Sequence, residues 1–499
     1  MQKTADVIII GGGVVGSAIA RELSRYRLDI ILMEKNPDVG YETSGRNTGV
    51  CHGGFAYDTG SLKARFCVEG NRMMGDLARE LDFPFKRCGK VLVGNTPEDR
   101  EQLARVVRQG EANGARGLRM MEKEELHALV PGIIGEFALF SETSGILDPF
   151  KMTVALAENA AHNGVKVLLS HRVTGIRREE NGDCEPAAGR PAESWHYVVE
   201  TDRGEFRTRW VVNAAGQHCG AVSDMLGIRG YRTVGSKGDY ILLDPRTSEG
   251  VPLPLYTVPS NTYMGIHVTL TVDGNLLIGP TAEPTTRWEY YGVEQKNLDA
   301  MLAEADGLWP HVKRSDFIRE YSGILSKWTD DNGRIQDFRI EVRDDLAPRA
   351  VNLIGIESPG LTSAVPIARY VAGLIGEREE LAENPSFDPV RKGIRRFADM
   401  TDEERSEAIA ADPEYGEIVC RCQKVSRAEI RQAIENPLGV RTMTGIKNRT
   451  RAMTGRCQGG YCQMRISEML AEYWNLSETE LEYNRPGSNL FFGKVREER

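Results

Sequence analysis

The sequence predicts an α/β fold that opens on a dinucleotide-binding βαβ unit, and three observations carry that prediction. Apolar residues 6–10 run into Gly11-Gly12-Gly13-Val14-Val15-Gly16, then a helical pattern to residue 26, then a second apolar run at 30–33 that ends at Glu34. Short strand-like runs recur at 165–169, 210–213, 240–243, 276–278 and 351–354, with helical stretches at 98–110 and 153–163. Of the nine cysteines, Cys420, Cys422, Cys457 and Cys462 crowd near the C-terminus, whereas Cys51, Cys67, Cys88, Cys184 and Cys219 are scattered.

The glycine run fits G-x-G-x-x-G, and each glycine has a physical task. The first permits a tight turn, the second lets backbone approach a pyrophosphate, and the third lets helix pack on strand. Phosphates favour the helix N-terminus, where free N–H groups and the helix dipole attract anions. Glu34, at the end of the second strand, stands where a carboxylate binds ribose hydroxyls. This unit predicts a dinucleotide and leaves FAD or NAD open. There is no second G-x-G-x-x-G, so a separate NAD site has no support.

With 499 residues, 40% hydrophobic and 27% charged, the chain reads as a globular protein of two or three domains. A net charge of −9 gives no general electrostatic reason to bind nucleic acid. No run of about 18 apolar residues occurs, so no spanning helix is expected. The apolar N-terminus reads as a first strand rather than a signal peptide. The expected location is the cytoplasm, with any membrane contact made through a partner.

Composition changes from about residue 377, becoming charged and carrying Pro385, Pro389 and Pro413; we place a linker at 381–415. A compact module at 416–478 and a tail at 479–499 follow. The polar stretch 180–194 reads as a hairpin tip. In the module, Cys420-Arg421-Cys422 and Cys457-Gln458-Gly459-Gly460-Tyr461-Cys462 supply four thiolates. That set suits a [2Fe–2S] cluster, each iron taking two sulfurs. Zinc also accepts four cysteines. Nearby Lys447, Arg449, Arg451 and Arg456 either offset cluster charge or are solvated.

Further motifs carry a resemblance. Thr43-Ser44-Gly45-Arg46-Asn47-Thr48-Gly49-Val50-Cys51-His52-Gly53-Gly54, with the fingerprint, resembles the D-amino-acid-oxidase-like superfamily of FAD enzymes. The runs Gly60-Ser61-Leu62-Lys63-Ala64-Arg65 and Asp82-Phe83-Pro84-Phe85-Lys86-Arg87 are similar to its glycerol-3-phosphate and L-2-hydroxyglutarate dehydrogenase branches. Val211-Val212-Asn213-Ala214-Ala215-Gly216 and Gly355-Ile356-Glu357-Ser358-Pro359-Gly360-Leu361-Thr362-Ser363 resemble its flavin-contact segments. Residues 446–462 resemble the bacterioferritin-associated-ferredoxin-like [2Fe–2S] domain, which also ends the catalytic subunit of anaerobic glycerol-3-phosphate dehydrogenases. An upstream flavin needing an electron acceptor agrees with iron–sulfur over zinc.

The resemblance implies a Rossmann-like FAD domain within 1–380, interleaved with a mixed-sheet substrate domain at roughly 81–150 and 231–330, plus the small [2Fe–2S] domain. It places adenosine near Glu34, Lys35 and Val173, and pyrophosphate near Gly11, Gly13, Val14, Val15, Gly16, Thr43 and Ser44. The flavin ring falls near Gly49–Gly53 and Gly360, Leu361 and Thr362, with Asn47, Thr48, Ala215 and Gly216 as further cofactor contacts. N–H groups at the helix start near Leu361 would stabilise a negatively charged reduced flavin. The metal ligands are Cys420, Cys422, Cys457 and Cys462.

His52, in the flavin-facing segment, is the candidate base that takes the hydroxyl proton while hydride goes to the flavin; the plainer reading is a flavin contact. Cys51 beside it reads as packing, and His267 as a satisfied buried histidine. Lys63, Arg65, Lys237 and Lys327 are the candidate substrate cations. The segment Ser322-Gly323-Ile324-Leu325-Ser326-Lys327-Trp328 departs from the family, having Leu325 where an arginine would grip the substrate anion. Lysine supplies charge but no bidentate fork.

The reading is therefore a dehydrogenase of a small polar, anionic substrate, best matched by sn-glycerol 3-phosphate. Its electrons leave through the cluster to a second flavoprotein subunit or a membrane quinone system, within a hetero-oligomer. A 2-hydroxy-acid or amine/amino-acid dehydrogenase is the alternative enzyme. A non-catalytic electron-transfer subunit is the alternative class.

Overall fold

The computed structural model describes residues 3–180, 195–259 and 265–493; most of the expected hairpin tip at 180–194 therefore lies outside the described residues. The first strand, Thr4–Ile10, sits inside an eight-stranded sheet, parallel to Ile30–Met33 on one side and to Gly204–Asn213 on the other. Its continuous apolar run follows from burial on both faces. Val7 and Ile9 join one core with the helices Val14–Leu23, Leu62–Leu81, Pro149–His162 and Gly360–Gly376, while Ile8 and Ile10 join a second with Val222, Leu226 and Tyr197.

Several elements are longer than the sequence predicts, each for a local reason. Helix Pro149–His162 starts before residue 153 because Pro149 takes the first turn and the Asp148 side chain accepts from Lys151 N at 3.0 Å. Strand Gly204–Asn213 begins before 210, where exposed Glu205 and Arg207 hide a stretch paired antiparallel with Trp195–Thr201. Its later half pairs parallel with Ala347–Ile354 instead.

A second, nine-stranded sheet draws its strands from two separate parts of the chain, 90–141 and 232–329. Its longest ladder joins Arg232–Leu243 to Phe317–Thr329 antiparallel. The 381–415 stretch does not hang free. Arg27 N donates to Ala382 O, Asn384 N to Arg25 O, and buried Asn159 donates to Asp388 O and Val390 O. Helix Asp402–Ala411 follows, started by a Thr401–Glu404 capping box.

The C-terminal module packs helices Arg427–Ile434, Met443–Thr450 and Gln463–Trp474 around Ile430, Ile446, Ile466 and Leu470; Leu481 of the tail joins this core. The module is docked on the first sheet's domain. Leu438 and Val440 pack with Val39, Val154 and Ala157. Arg449, fully enclosed, pairs with Asp38 at 2.6 Å and with Glu158 at 3.2 Å. Arg451 pairs with Asp273 of the second sheet's domain, and Arg456 with Asp244 at 3.0 Å. Neither Arg449 nor Arg451 is a solvated charge.

Replacing Arg449 with methionine strands the buried Asp38 and leaves Glu158 to Arg391 alone, and is expected to cost about 3–5 kcal/mol. Urea unfolding should show that loss, and limited proteolysis should open new cuts in 381–415; an unchanged midpoint would mean that docking does not depend on this pair.

Candidate active site

Strand Thr4–Ile10 turns at Gly11, whose φ of +110° disfavours a side chain. A Cβ there would lie 2.5 Å from Ala214 O, and one on Gly16 would lie 1.9 Å from Gly11 O. Gly13 begins helix Val14–Leu23 with no cap of its own, and Val14 N instead donates to Ser44 Oγ at 2.9 Å. Glu34 accepts from Gly12 N, Asn36 N and Asn36 Nδ2, each at 2.8 Å. It therefore braces the glycine turn. A carboxylate offers about four acceptor positions, leaving one for a ribose hydroxyl. Burial raises the Glu34 pKa, against those backbone donors.

Two cavities meet at this turn. One, about 260 Å³, is lined by Glu34, Lys35, Val173, Ala215 and Gly216. The other, about 430 Å³, is lined by Val14, Val15, Asn47, Thr48, His52, Gly360 and Leu361. Both include Gly13, Thr43, Ser44, Ala214 and Gly216, so together they form one elongated slot. A dinucleotide with its pyrophosphate at the glycine turn fits that shape. Asn47 shapes the bend, donating to Thr43 O and Ser44 O and accepting from Gly49 N. Gly49 and Thr362 support the wall from behind: a Cβ on Gly49 would lie 2.4 Å from Leu147 O, and His52 N donates to Thr362 Oγ1 at 3.0 Å. Helix Gly360–Gly376 starts without a side-chain cap at the cavity wall, an end suited to negative charge.

At the far end of the larger cavity stand His52, Lys90, Tyr256 and His267. Lys90 is 4% exposed, with its ammonium 4.3 Å from the Tyr256 ring centroid and 4.8 Å from that of Phe55. No carboxylate pairs with it among the described residues. Burial lowers its pKa to about 8. His267 stacks on Tyr256 at 3.5 Å, and its Nδ1 has no hydrogen-bond partner among the described residues. That imidazole is buried as expected. Burial, then Lys90, pull its pKa down to about 3. Burial, then Lys90 and His267, hold His52 well below the usual histidine range, so its imidazole is neutral near pH 7. Cys51 is enclosed, its thiol pushed up to about 12 by burial, as packing would have it.

The expected substrate cations fall in different places. Lys63 and Lys327 line the cavity and share Glu357, at 2.8 and 3.7 Å. Arg65 lies outside: two residues along a helix point to different faces, and its guanidinium is exposed against Phe66 and Tyr370. Lys237 is also outside. Strand residues alternate, so Tyr240 reaches the cavity while Lys237 and Asp239 turn away and pair at 2.8 Å, with Asn297 on Asp239. Leu325 lines the cavity and leaves it without a guanidinium fork. Lys90 escaped the sequence reading because a lysine opening the run Lys90–Gly94 looks like a solvated strand end.

The four clustered cysteines converge. Cys420 and Cys422 Sγ lie 3.8 Å apart, Cys422 and Cys457 Sγ 3.7 Å, and Cys462 adjoins Cys420. The thiols form a chain of neighbours, which suits two irons sharing four sulfurs. Cys420 and Cys462 are buried, whereas Cys422 and Cys457 are exposed. Gly455 is required beside them, since a Cβ there would lie 2.6 Å from Cys422 Sγ.

A nucleotide slot with a basic reaction end, joined to a four-thiolate centre, defines a flavin-type redox enzyme with a second, metal-based centre. Residues 6–374 match the FAD dependent oxidoreductase (DAO) family and residues 418–472 match the BFD-like [2Fe-2S] binding domain. The chain belongs to the FAD dependent oxidoreductase family and carries a C-terminal BFD-like domain; its cofactors are FAD and [2Fe–2S]. It is 34% identical over 496 residues to a glycerol 3-phosphate dehydrogenase of Caloramator mitchellensis, covering 99% of each chain. It is 27% identical to the mitochondrial L-2-hydroxyglutarate dehydrogenase of Homo sapiens, over 75% of this chain and 89% of that one. FAD-bound L-alpha-glycerophosphate oxidase from Mycoplasma pneumoniae superposes with a TM-score of 0.71 at 26% identity, covering 78% and 98% of the two chains. Among the described residues no helix is long and apolar enough to cross a membrane.

Replacing Cys457 with serine should remove the cluster's visible absorption and its labile sulfide while leaving bound FAD. Stoichiometric zinc without sulfide in anoxic preparations would contradict the cluster assignment.

Proposed function

We propose that the protein oxidises sn-glycerol 3-phosphate to dihydroxyacetone phosphate and passes the electrons through the [2Fe–2S] cluster to a separate acceptor. One observation carries this reading: the reaction end of the slot holds a buried Lys90 beside two histidines, with no acid paired to it among the described residues. A buried cation without a partner is costly unless a ligand completes it. A small phosphate-bearing alcohol does so. The likeness to the Caloramator protein over both domains supports the same substrate class.

Held along the slot by the glycine turn, Ser44 and Glu34, FAD would supply the acceptor for hydride from the alcohol carbon. Lys90 binds the substrate anion and fixes the alcohol beside His52. His52, neutral because burial and Lys90 disfavour its charged form, accepts the hydroxyl proton on an imidazole nitrogen. Anion binding also offsets the positive field of Lys90, so His52 becomes a stronger base once substrate is in place. His267 and Tyr256 wall the anion end and exclude water. Lys63 and Lys327, held by Glu357, lie along the cavity as further positive charge. The partner is a second flavoprotein subunit or a quinone system, and any membrane contact runs through it. The exposed Cys422 and Cys457 give the cluster an accessible side.

A 2-hydroxy acid is the second reading, because Leu325 withholds the fork that a phosphate dianion favours and a carboxylate is satisfied by lysine. A relay without substrate chemistry is disfavoured by the polar, basic reaction end.

His52→Ala should slow flavin reduction by substrate roughly a hundred- to ten-thousand-fold with FAD content unchanged. Reduction at the parent rate would make His52 structural. Free-enzyme groups govern kcat/KM: His52 must be neutral, so the acid limb should lie below pH 6.5, and Lys90 must be charged, so activity should fall as pH rises through about 8. Lys90→Arg should remove the alkaline limb, and Lys90→Met should raise KM. A Lys90→Met variant with the parent KM for glycerol 3-phosphate would overturn the anion assignment.

A further inference from the structure

A third cavity, about 200 Å³, lies where the two sheet domains and the cluster domain meet. Asn47 and Thr48 line both it and the flavin slot, while Thr454 and Gln458 connect it to the loop bearing Cys457. Its walls carry Arg46, Arg319, Lys447 and Arg451 against two carboxylates, Asp148 and Asp273. Arg451 pairs with Asp273 and stands 4.0 Å from Asp148, whose other oxygen accepts from Lys151 N. Among the described residues Arg46 donates to backbone alone, at Tyr41 O and Ser322 O, and its guanidinium lies 4.1 Å from the Tyr291 ring centroid.

Lys447 is the decisive residue. It is 8% exposed on helix Met443–Thr450, and its ammonium makes no hydrogen bond or ion pair among the described residues. Burial, followed by the charges of Arg319, Arg451 and Arg46, brings its pKa to about 7. Three arginines around a buried amine are unfavourable unless a negative charge joins them. Arg319 is exposed, so the charged cavity is bounded on that side by a residue in contact with solvent.

We infer that this junction cavity is a binding site for a small phosphate- or carboxylate-bearing anion, held by Lys447, Arg319 and Arg46. The anion links the cluster domain, through Lys447, to both sheet domains, and so sits between the two redox centres without touching the reaction end of the slot. The inference does not rest on the proposed substrate. A resident anion there stiffens the contact between flavin loop and cluster loop.

The test uses Lys90→Met holoenzyme, in which the one cation of the reaction cavity not held by Glu357 is gone, and equilibrium binding of radiolabelled inorganic phosphate, with malonate as the carboxylate probe. Saturable binding of either anion is expected to persist in Lys90→Met, to vanish when Lys447→Met is added, and to weaken about tenfold with Arg319→Gln, the loss of one charge-assisted contact. Arg319 is exposed, so its variant keeps the test valid should the Lys447 variant fail to fold. Tighter phosphate than malonate assigns the phosphate class, and the reverse assigns the carboxylate class. Absence of saturable binding by both anions in Lys90→Met, or binding unchanged by Arg319→Gln, overturns the inference.

Discussion

The buried contact of Arg449 with Asp38 and Glu158 is the interaction on which the arrangement of the two redox centres depends. Burial opposes the guanidinium's charge, but the two carboxylates outweigh it and hold its pKa above the ordinary value. Asp38 belongs to the loop after the second strand, close to the glycine turn that Glu34 braces. Glu158 belongs to helix Pro149–His162, which packs on that same sheet. One side chain of the cluster domain thus grips both the nucleotide-binding loop region and its supporting helix. Fixed docking gives the flavin a defined neighbour for its electrons, which a loosely tethered domain would not.

Charge balance separates structural cations from working ones across the molecule. Lys237 is answered by Asp239, Lys63 and Lys327 by Glu357, and Arg451 by Asp273. Lys90 and Lys447 are buried with no acid paired to them among the described residues. The former faces the reaction end and the latter the domain junction, so both point to ligands the fold leaves to be supplied. The depressed pKa of His52 follows first from burial and then from the charge of Lys90.

How much the sequence disclosed depended on how local the cause was. The strand at Thr4–Ile10 and its glycine turn were legible because burial on both faces and the turn's backbone geometry are written in adjacent residues. The four cysteines were legible because their chemistry depends on residue type and spacing. Lys237 and Arg65 carried the right charge, but which face of a strand or helix meets the cavity depends on distant packing. Lys90 offered no sequence signal, because its aromatic surroundings come from residues 55 and 256. Likewise the basic run at Lys447, Arg449 and Arg451 looked like solvated or cluster-facing charge until the docked surface of the first domain was seen against it.

Single-turnover reduction under anoxic conditions tests the central claim most directly. Mixing oxidised holoenzyme with sn-glycerol 3-phosphate should bleach the flavin absorption first, followed by loss of the cluster's visible bands and appearance of a reduced [2Fe–2S] electron paramagnetic resonance signal. Flavin bleaching with a cluster that stays oxidised would break the proposed route, and an unbleached flavin would contradict the substrate assignment at its source.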